Sequence, residues 1–165
     1  MLHFTREEFD ARLRNAIAAM RDRSIDALLI FRQESMYYLT GYDTMGYSQF
    51  QCLVLGADGR LVLLTRSADM RQARLTSTIE DIRVWVDRSD SNPGLDLRSI
   101  LEEHGLAGTR LGVELDAYSL TGQRWEMVKS ALDGFCSHED ASGLVNRLRL
   151  VKSPAEIAYV RRAAE

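Results

Sequence analysis

The sequence predicts an α/β domain built on a mixed sheet. Three observations carry that reading. Short apolar runs alternate along the chain with stretches of helical periodicity. Residues 25–31 (Ile-Asp-Ala-Leu-Leu-Ile-Phe) are almost continuously apolar, as a strand covered on both faces must be. Residues 50–55 and 61–65 flank Gly56-Ala57-Asp58-Gly59, the pattern of a β-hairpin that supplies the antiparallel part of the sheet.

The elements follow in order. Thr5 and Glu8 form a capping box ahead of Phe9, Leu13, Ile17 and Met20, one apolar stripe of a helix that ends near Arg23-Ser24. After the strand at 25–31, Ser35 is a candidate cap for a short helix through Leu39, closed by Gly41. The hairpin comes next, then a helix over 68–75 and a strand over 82–86 with one polar face. Asn92-Pro93 is a cap-plus-proline start for a helix bearing Leu97, Ile100, Leu101 and His104, with Gly105 as its stop. A strand over 110–114 precedes a helix begun by Thr121, with Trp125, Val128 and Leu132 on one side. A short strand over 134–137 and a helix over 141–148 complete the body. Ser153, Pro154 and Glu156 then start a terminal helix with a capping box but no stop signal. A helix of about twelve residues is marginal alone, so it either docks on its own domain or continues into another.

Composition narrows the function. The chain has 165 residues, enough for one core, and a net charge of −3 that offers no footprint for nucleic acid or an anionic membrane. Arginines are scattered among acids, and Lys129 and Lys152 are the only lysines. No apolar run is long enough to span a bilayer, and the N-terminus lacks the apolar core of a signal peptide. Cys52 and Cys136 read as two buried thiols in a reducing compartment, so a cytoplasmic location is expected.

No catalytic constellation emerges. His3 belongs to a terminus expected to fray, His104 to a helix end, and His138 with Glu139 and Asp140 to a surface loop; none has zinc-ligand spacing. There is no nucleophile elbow, Walker loop or dinucleotide fingerprint, and Cys52 sits in an apolar strand. The acid pairs Glu7-Glu8 and Glu102-Glu103 read as solvated faces. One segment stands out: residues 41–51, Gly-Tyr-Asp-Thr-Met-Gly-Tyr-Ser-Gln-Phe-Gln, aromatic, polar and punctuated by glycine. It is either a binding loop on a rigid sheet or a Tyr-rich connection packed on the sheet edge.

Three stretches resemble one family. Arg149, Lys152, Ser153, Glu156 and Ile157, followed by Arg161 and Ala163, resemble the junction of the creatinase/prolidase (aminopeptidase P-like) metallopeptidases. Tyr38-Leu-Thr-Gly-Tyr42 is similar to that family's Tyr-Leu-Ser/Thr-Gly signature, and 25–30 to its Gly-Ile-Asp-Ala-Leu-Leu strand. Ser24 stands where the family often has a left-handed glycine, and Ser35 where it usually has asparagine.

The resemblance implies a mixed sheet flanked by helices on both sides, ribonuclease H-like, over residues 1–150. Residues 151–165 would begin the linker helix into a pita-bread catalytic domain. That domain would carry the two Asp, one His and two Glu that hold two divalent ions (Mn, Co or Zn), so this chain would hold no cofactor and no catalytic residue. In creatinase-like members the loop after the signature crosses a dimer interface and lines the neighbouring active site. On that alignment the substrate-contacting aromatic falls on Tyr47. A substrate-contacting arginine of creatine-hydrolysing members falls on Gln49, which counts against creatine. Asp43 is a candidate to face a substrate amine.

The leading expectation is therefore the N-terminal domain of a metal-dependent Xaa-Pro peptidase, homodimeric, taking a proline-containing peptide. The alternatives are a creatinase- or ectoine-hydrolase-like amidohydrolase acting on a small amide, and a non-enzymatic interaction module. The last should expose a large apolar patch or a strongly charged face, and the sequence suggests neither.

Overall fold

The computed structural model describes residues 2–165. Thr5 caps α1 (Arg6–Arg21), its side chain accepting the Glu8 N–H. The helix leaves through Ser24, a non-glycine residue with φ 55°. Serine thus holds a left-handed turn that glycine adopts more easily. The strand β1 (Ala27–Ile30) follows, buried throughout, and then α2 (Gln33–Thr40).

Next come the hairpin strands β2 (Cys52–Gly56) and β3 (Leu61–Arg66), α3 (Ser67–Thr76), β4 (Asp81–Trp85) and α4 (Pro93–Glu103). The chain ends with β5 (Arg110–Val113), α5 (Gly122–Ala131), β6 (Ser137–Asp140), α6 (Gly143–Leu150) and α7 (Pro154–Ala163). Asn92, Thr121 and Ser153 cap their helices as expected, each accepting a first-turn N–H.

The six strands lie in the order β4-β3-β2-β1-β5-β6. Only β2 runs against its neighbours, so the sheet is mixed as expected. Each face carries its own core. Ala27, Leu29 and Phe31 turn toward α4 and α5, meeting Leu97, Leu101, Val128 and Leu132. Leu28 and Ile30 turn the other way, toward Met20, Met36, Leu39, Leu144 and Val145 of α1, α2 and α6. Helices on both sides are why 25–31 has no polar alternation.

Four expectations need correction. The last strand is not at 134–137: Gly134 adopts φ 65° in a turn, Phe135 packs into the core, and pairing with β5 starts at Ser137. Apolarity marked the wrong residues because β6 is a sheet edge, where polar Ser-His-Glu-Asp discourages further pairing. His138 accordingly lies in this strand rather than a loop, its ring 5.0 Å from that of Trp125. Ser35 does not cap α2; Arg32 occupies the cap position without a side-chain bond, and Ser35 lies inside the helix, fully buried. Cys52 is buried as expected, but Cys136 is only partly so, and both are free thiols.

Gly41 closes α2 at φ 80°. A Cβ there would lie 3.0 Å from Phe9 Cζ, 3.0 Å from the Thr76 carbonyl and 3.1 Å from Leu2 Cδ2. Left-handed strain and crowding then act together, so Gly41→Ala is expected to lower stability by about 2 kcal/mol. Chemical denaturation measures this, and an unchanged midpoint would contradict it.

No helix among the described residues is long and apolar enough to cross a membrane.

Candidate functional site

Five of the six strands point one way, so the ends of β1, β3, β4, β5 and β6 share an edge with the start of β2. In open α/β sheets this carboxyl edge is where ligands bind. The Gly41–Gln51 stretch crosses it, between α2 and β2.

That loop is fastened from beneath. The Tyr42 hydroxyl donates to Gln51 Oε1 at 2.6 Å, and Thr65 Oγ1 donates to the same oxygen at 3.1 Å. Gln51 Nε2 donates to the Gly46 carbonyl at 2.9 Å, and Gly46 N–H donates to Thr44 Oγ1 at 2.9 Å. Glycine suits position 46: a Cβ would crowd Gln51 Nε2 and stand 3.0 Å from Asp69 Oδ1, so the Gln51 amide would have to shift. Further along, Arg124 Nη1 donates to the carbonyls of Ser48 and Ser119 at 2.7 and 2.8 Å. At the start, Asp43 N–H donates to Thr76 Oγ1 at 3.2 Å. The main chain is held while the side chains between the ties face out. Met45 is 82% exposed and Tyr47 is 56% exposed, and Asp43 is exposed as well.

The three residues named from sequence do not share one pocket. Asp43 lines a cleft of about 630 Å³ with His3, Tyr37, Tyr42 and Tyr159. Tyr47 and Gln49 stand outside that lining, farther along the loop. Gln49 is half-buried, and its Nε2 donates to Ser48 Oγ at 3.3 Å. His3, expected to fray, is engaged: its Nδ1 lies 2.6 Å from the Tyr37 hydroxyl, and its carbonyl accepts from the Tyr159 hydroxyl at 2.5 Å. Burial raises the Tyr37, Tyr38 and Tyr42 hydroxyls above the usual phenol range.

Sequence reasoning missed Glu114. It follows β5 at the same edge and is 1% exposed. Ser35 Oγ donates to its Oε1 at 2.6 Å, and the Arg32 N–H donates to its Oε2 at 3.1 Å. The carboxylate thus ties the start of α2 to the end of β5 and takes up the Ser35 hydroxyl. Burial pushes its carboxyl up to about 7, against the lowering effect of those donors and of the Arg32 guanidinium. A charged residue closing the apolar run Leu111-Gly-Val113 was the signal available in the sequence.

Among the described residues no group of three or more His, Cys, Asp or Glu side chains could hold a metal ion. Burial drives the Cys52 thiol far above its usual range, which leaves it a poor nucleophile. What the loop and cleft offer is recognition: aromatic faces, an exposed carboxylate and amide groups on a rigid edge.

Comparison with known proteins places these features in context. Residues 12–151 match the Creatinase/Prolidase N-terminal domain. The chain is 33% identical to ectoine hydrolase of Halomonas elongata over 171 aligned positions, covering 99% of this chain and 43% of that protein. A dipeptidase structure from Pyrococcus horikoshii superposes with a TM-score of 0.73 at 25% identity, over 89% of this chain and 38% of the other. The N-terminal domain of the cytoplasmic peptidase PepQ from Mycobacterium tuberculosis, solved by itself, gives 0.66 at 27% identity, over 84% of this chain and 98% of the other. The chain therefore spans less than half the length of the curated relatives it matches.

Proposed function

This chain belongs to the creatinase/prolidase family, as an N-terminal domain of that family's hydrolases, and from that premise we propose that it serves a longer, metal-dependent Xaa-Pro peptidase. Its own part would be binding and shape rather than bond cleavage. Tyr47, Gln49 and Asp43 would form a wall of the active site, in a homodimer whose partner the loop reaches. The divalent ions, Mn, Co or Zn in the catalytic domain, would supply an activated water and polarise the amide carbonyl. A cytoplasmic location fits two free thiols and the PepQ neighbour.

One observation carries this reading: a loop whose main chain is tied down at Gly46, Ser48 and Asp43 while Tyr47 projects outward. A Tyr-rich connection that merely packed on the sheet edge would bury that ring. A second reading has its own support, since the ectoine hydrolase relative aligns over almost the whole chain. On that reading the parent opens a small cyclic compound.

The longer protein, assayed with Xaa-Pro dipeptides and with ectoine in the presence of Mn, Co or Zn, separates the two. Turnover of the dipeptides alone is expected. Turnover of ectoine alone moves the assignment to the second reading, and turnover of neither makes the domain part of a binding protein.

A further inference from the structure

A second segment meets the Gly41–Gln51 loop at the carboxyl edge of the sheet, and it is built the same way. Residues 114–120 lead from the end of β5 toward α5. Their main chain is tied at several points. The Leu115 and Asp116 N–H groups donate to Ser142 Oγ at 3.0 and 3.1 Å. The Arg32 guanidinium donates to the Asp116 carbonyl through Nε at 3.0 Å and Nη2 at 2.6 Å. Ser119, fully buried, donates through Oγ to the Phe31 carbonyl at 2.8 Å. Between these ties Tyr118 is 85% exposed.

One side chain joins the two segments. Arg124 Nη1 donates to the Ser48 carbonyl and to the Ser119 carbonyl alike. Each of those serines directly follows an exposed tyrosine, Tyr47 in the first segment and Tyr118 in the second. Carbonyls that share one nitrogen are near neighbours, so stretches far apart in sequence present their tyrosines from adjoining points of the backbone. Beneath them Phe31 and Phe50 pack with ring centres 5.6 Å apart, and Phe50 meets Trp85 at 6.4 Å, a buried aromatic floor. A lone exposed aromatic is ordinary on a surface. Two at adjoining, immobilised points are a different matter. Tyrosine offers a broad ring for few rotatable bonds, and a fixed main chain removes more of the entropy that binding would cost.

We propose that Tyr118 is a second substrate-recognition residue, forming one aromatic wall with Tyr47, and that Arg124 is the positioning residue that holds both tyrosines in place. This deepens the functional reading above and rests on it. The wall suits a small non-aromatic ring, which an aromatic face holds by dispersion and not by charge. The proline ring of an Xaa-Pro dipeptide has that form, and so does the ring of ectoine.

The test is made in the longer protein, with dipeptide and ectoine as separate substrates. Tyr118→Ala is expected to raise KM about fivefold with kcat nearly unchanged, since a wall away from the reacting bond binds substrate and transition state alike. Tyr118→Phe should keep the wild-type KM. Arg124→Ala should raise KM at least as much, yet add little in the Tyr47→Ala/Tyr118→Ala protein, because its effect runs through those rings. Arg124→Lys should restore most of the affinity, as one ammonium can donate to both carbonyls. A merely structural Arg124 would instead lower Tm in every background and add its loss to that of the tyrosines.

An unchanged KM in Tyr118→Ala, where Tyr47→Ala raises it, overturns the proposal and leaves the functional reading standing. Additive loss from Arg124→Ala overturns the positioning role. A Tyr118 effect seen with ectoine alone supports the wall while moving the parent to the second reading. Turnover of neither substrate overturns the functional reading, and the wall falls with it.

Discussion

Replacing Glu114 by glutamine is expected to make the domain more stable at pH 8 and to flatten its stability profile between pH 4.5 and 7. The carboxyl is raised from 4.5 to about 7 in the folded chain by burial. In that window the native state keeps a proton that the unfolded chain releases. Stability is therefore greatest below the unfolded value and declines as pH rises through about 7. The shift corresponds to on the order of 3 kcal/mol, undiscounted for solvent because the residue is 1% exposed.

Glutamine copies the protonated form. Its oxygen can accept the Arg32 N–H, and its amide can donate to Ser35 Oγ once that hydroxyl turns round. Alanine, by contrast, would strand both donors in the core and should destabilise at every pH. Denaturant midpoints measured from pH 4.5 to 8.5 give the difference between wild type and Glu114→Gln directly, since all other titrating groups are shared. Parallel profiles would show that the native carboxyl titrates normally.

The second large effect is functional. Tyr47→Ala in the longer protein is expected to lower kcat/KM about tenfold or more, roughly 1.4 kcal/mol of transition-state binding. It should change stability by less than about 0.5 kcal/mol, as surface substitutions usually do. The asymmetry follows from the loop's construction: Tyr47 is 56% exposed, whereas the ties run through Gly46, Ser48 and Gln51. Tyr47→Phe keeps the aromatic face and should retain most activity if the ring rather than the hydroxyl meets the substrate. Kinetic constants unchanged by Tyr47→Ala would return the loop to a packing role.

Much of this fold was legible in the chain because the signals are local. Apolar periodicity located α1, the buried β1 and the hairpin, and caps at Thr5, Asn92, Thr121 and Ser153 marked helix starts within a few residues. The same logic misplaced β6, since an edge strand is defined by its partner β5 and carries polar residues. It also gave Ser35 the wrong task, because its hydroxyl is taken up by Glu114, 79 positions away.

The candidate site divides in the same way. Residues 41–51 were conspicuous by composition alone, as was the junction at Lys152-Ser153. Which of their atoms are held and which are presented depended on Thr65, Thr76 and Arg124, which reach the loop only across the folded sheet. The cleft is assembled from residues near 3, 12, 33–44 and 149–159, and no local pattern links them. Periodicity and capping chemistry are properties of neighbouring residues, so the sequence by itself determined the elements and their order. Strand register, the buried carboxylate of Glu114 and the cleft lining arise from contacts between distant segments, and only the tertiary structure decided them.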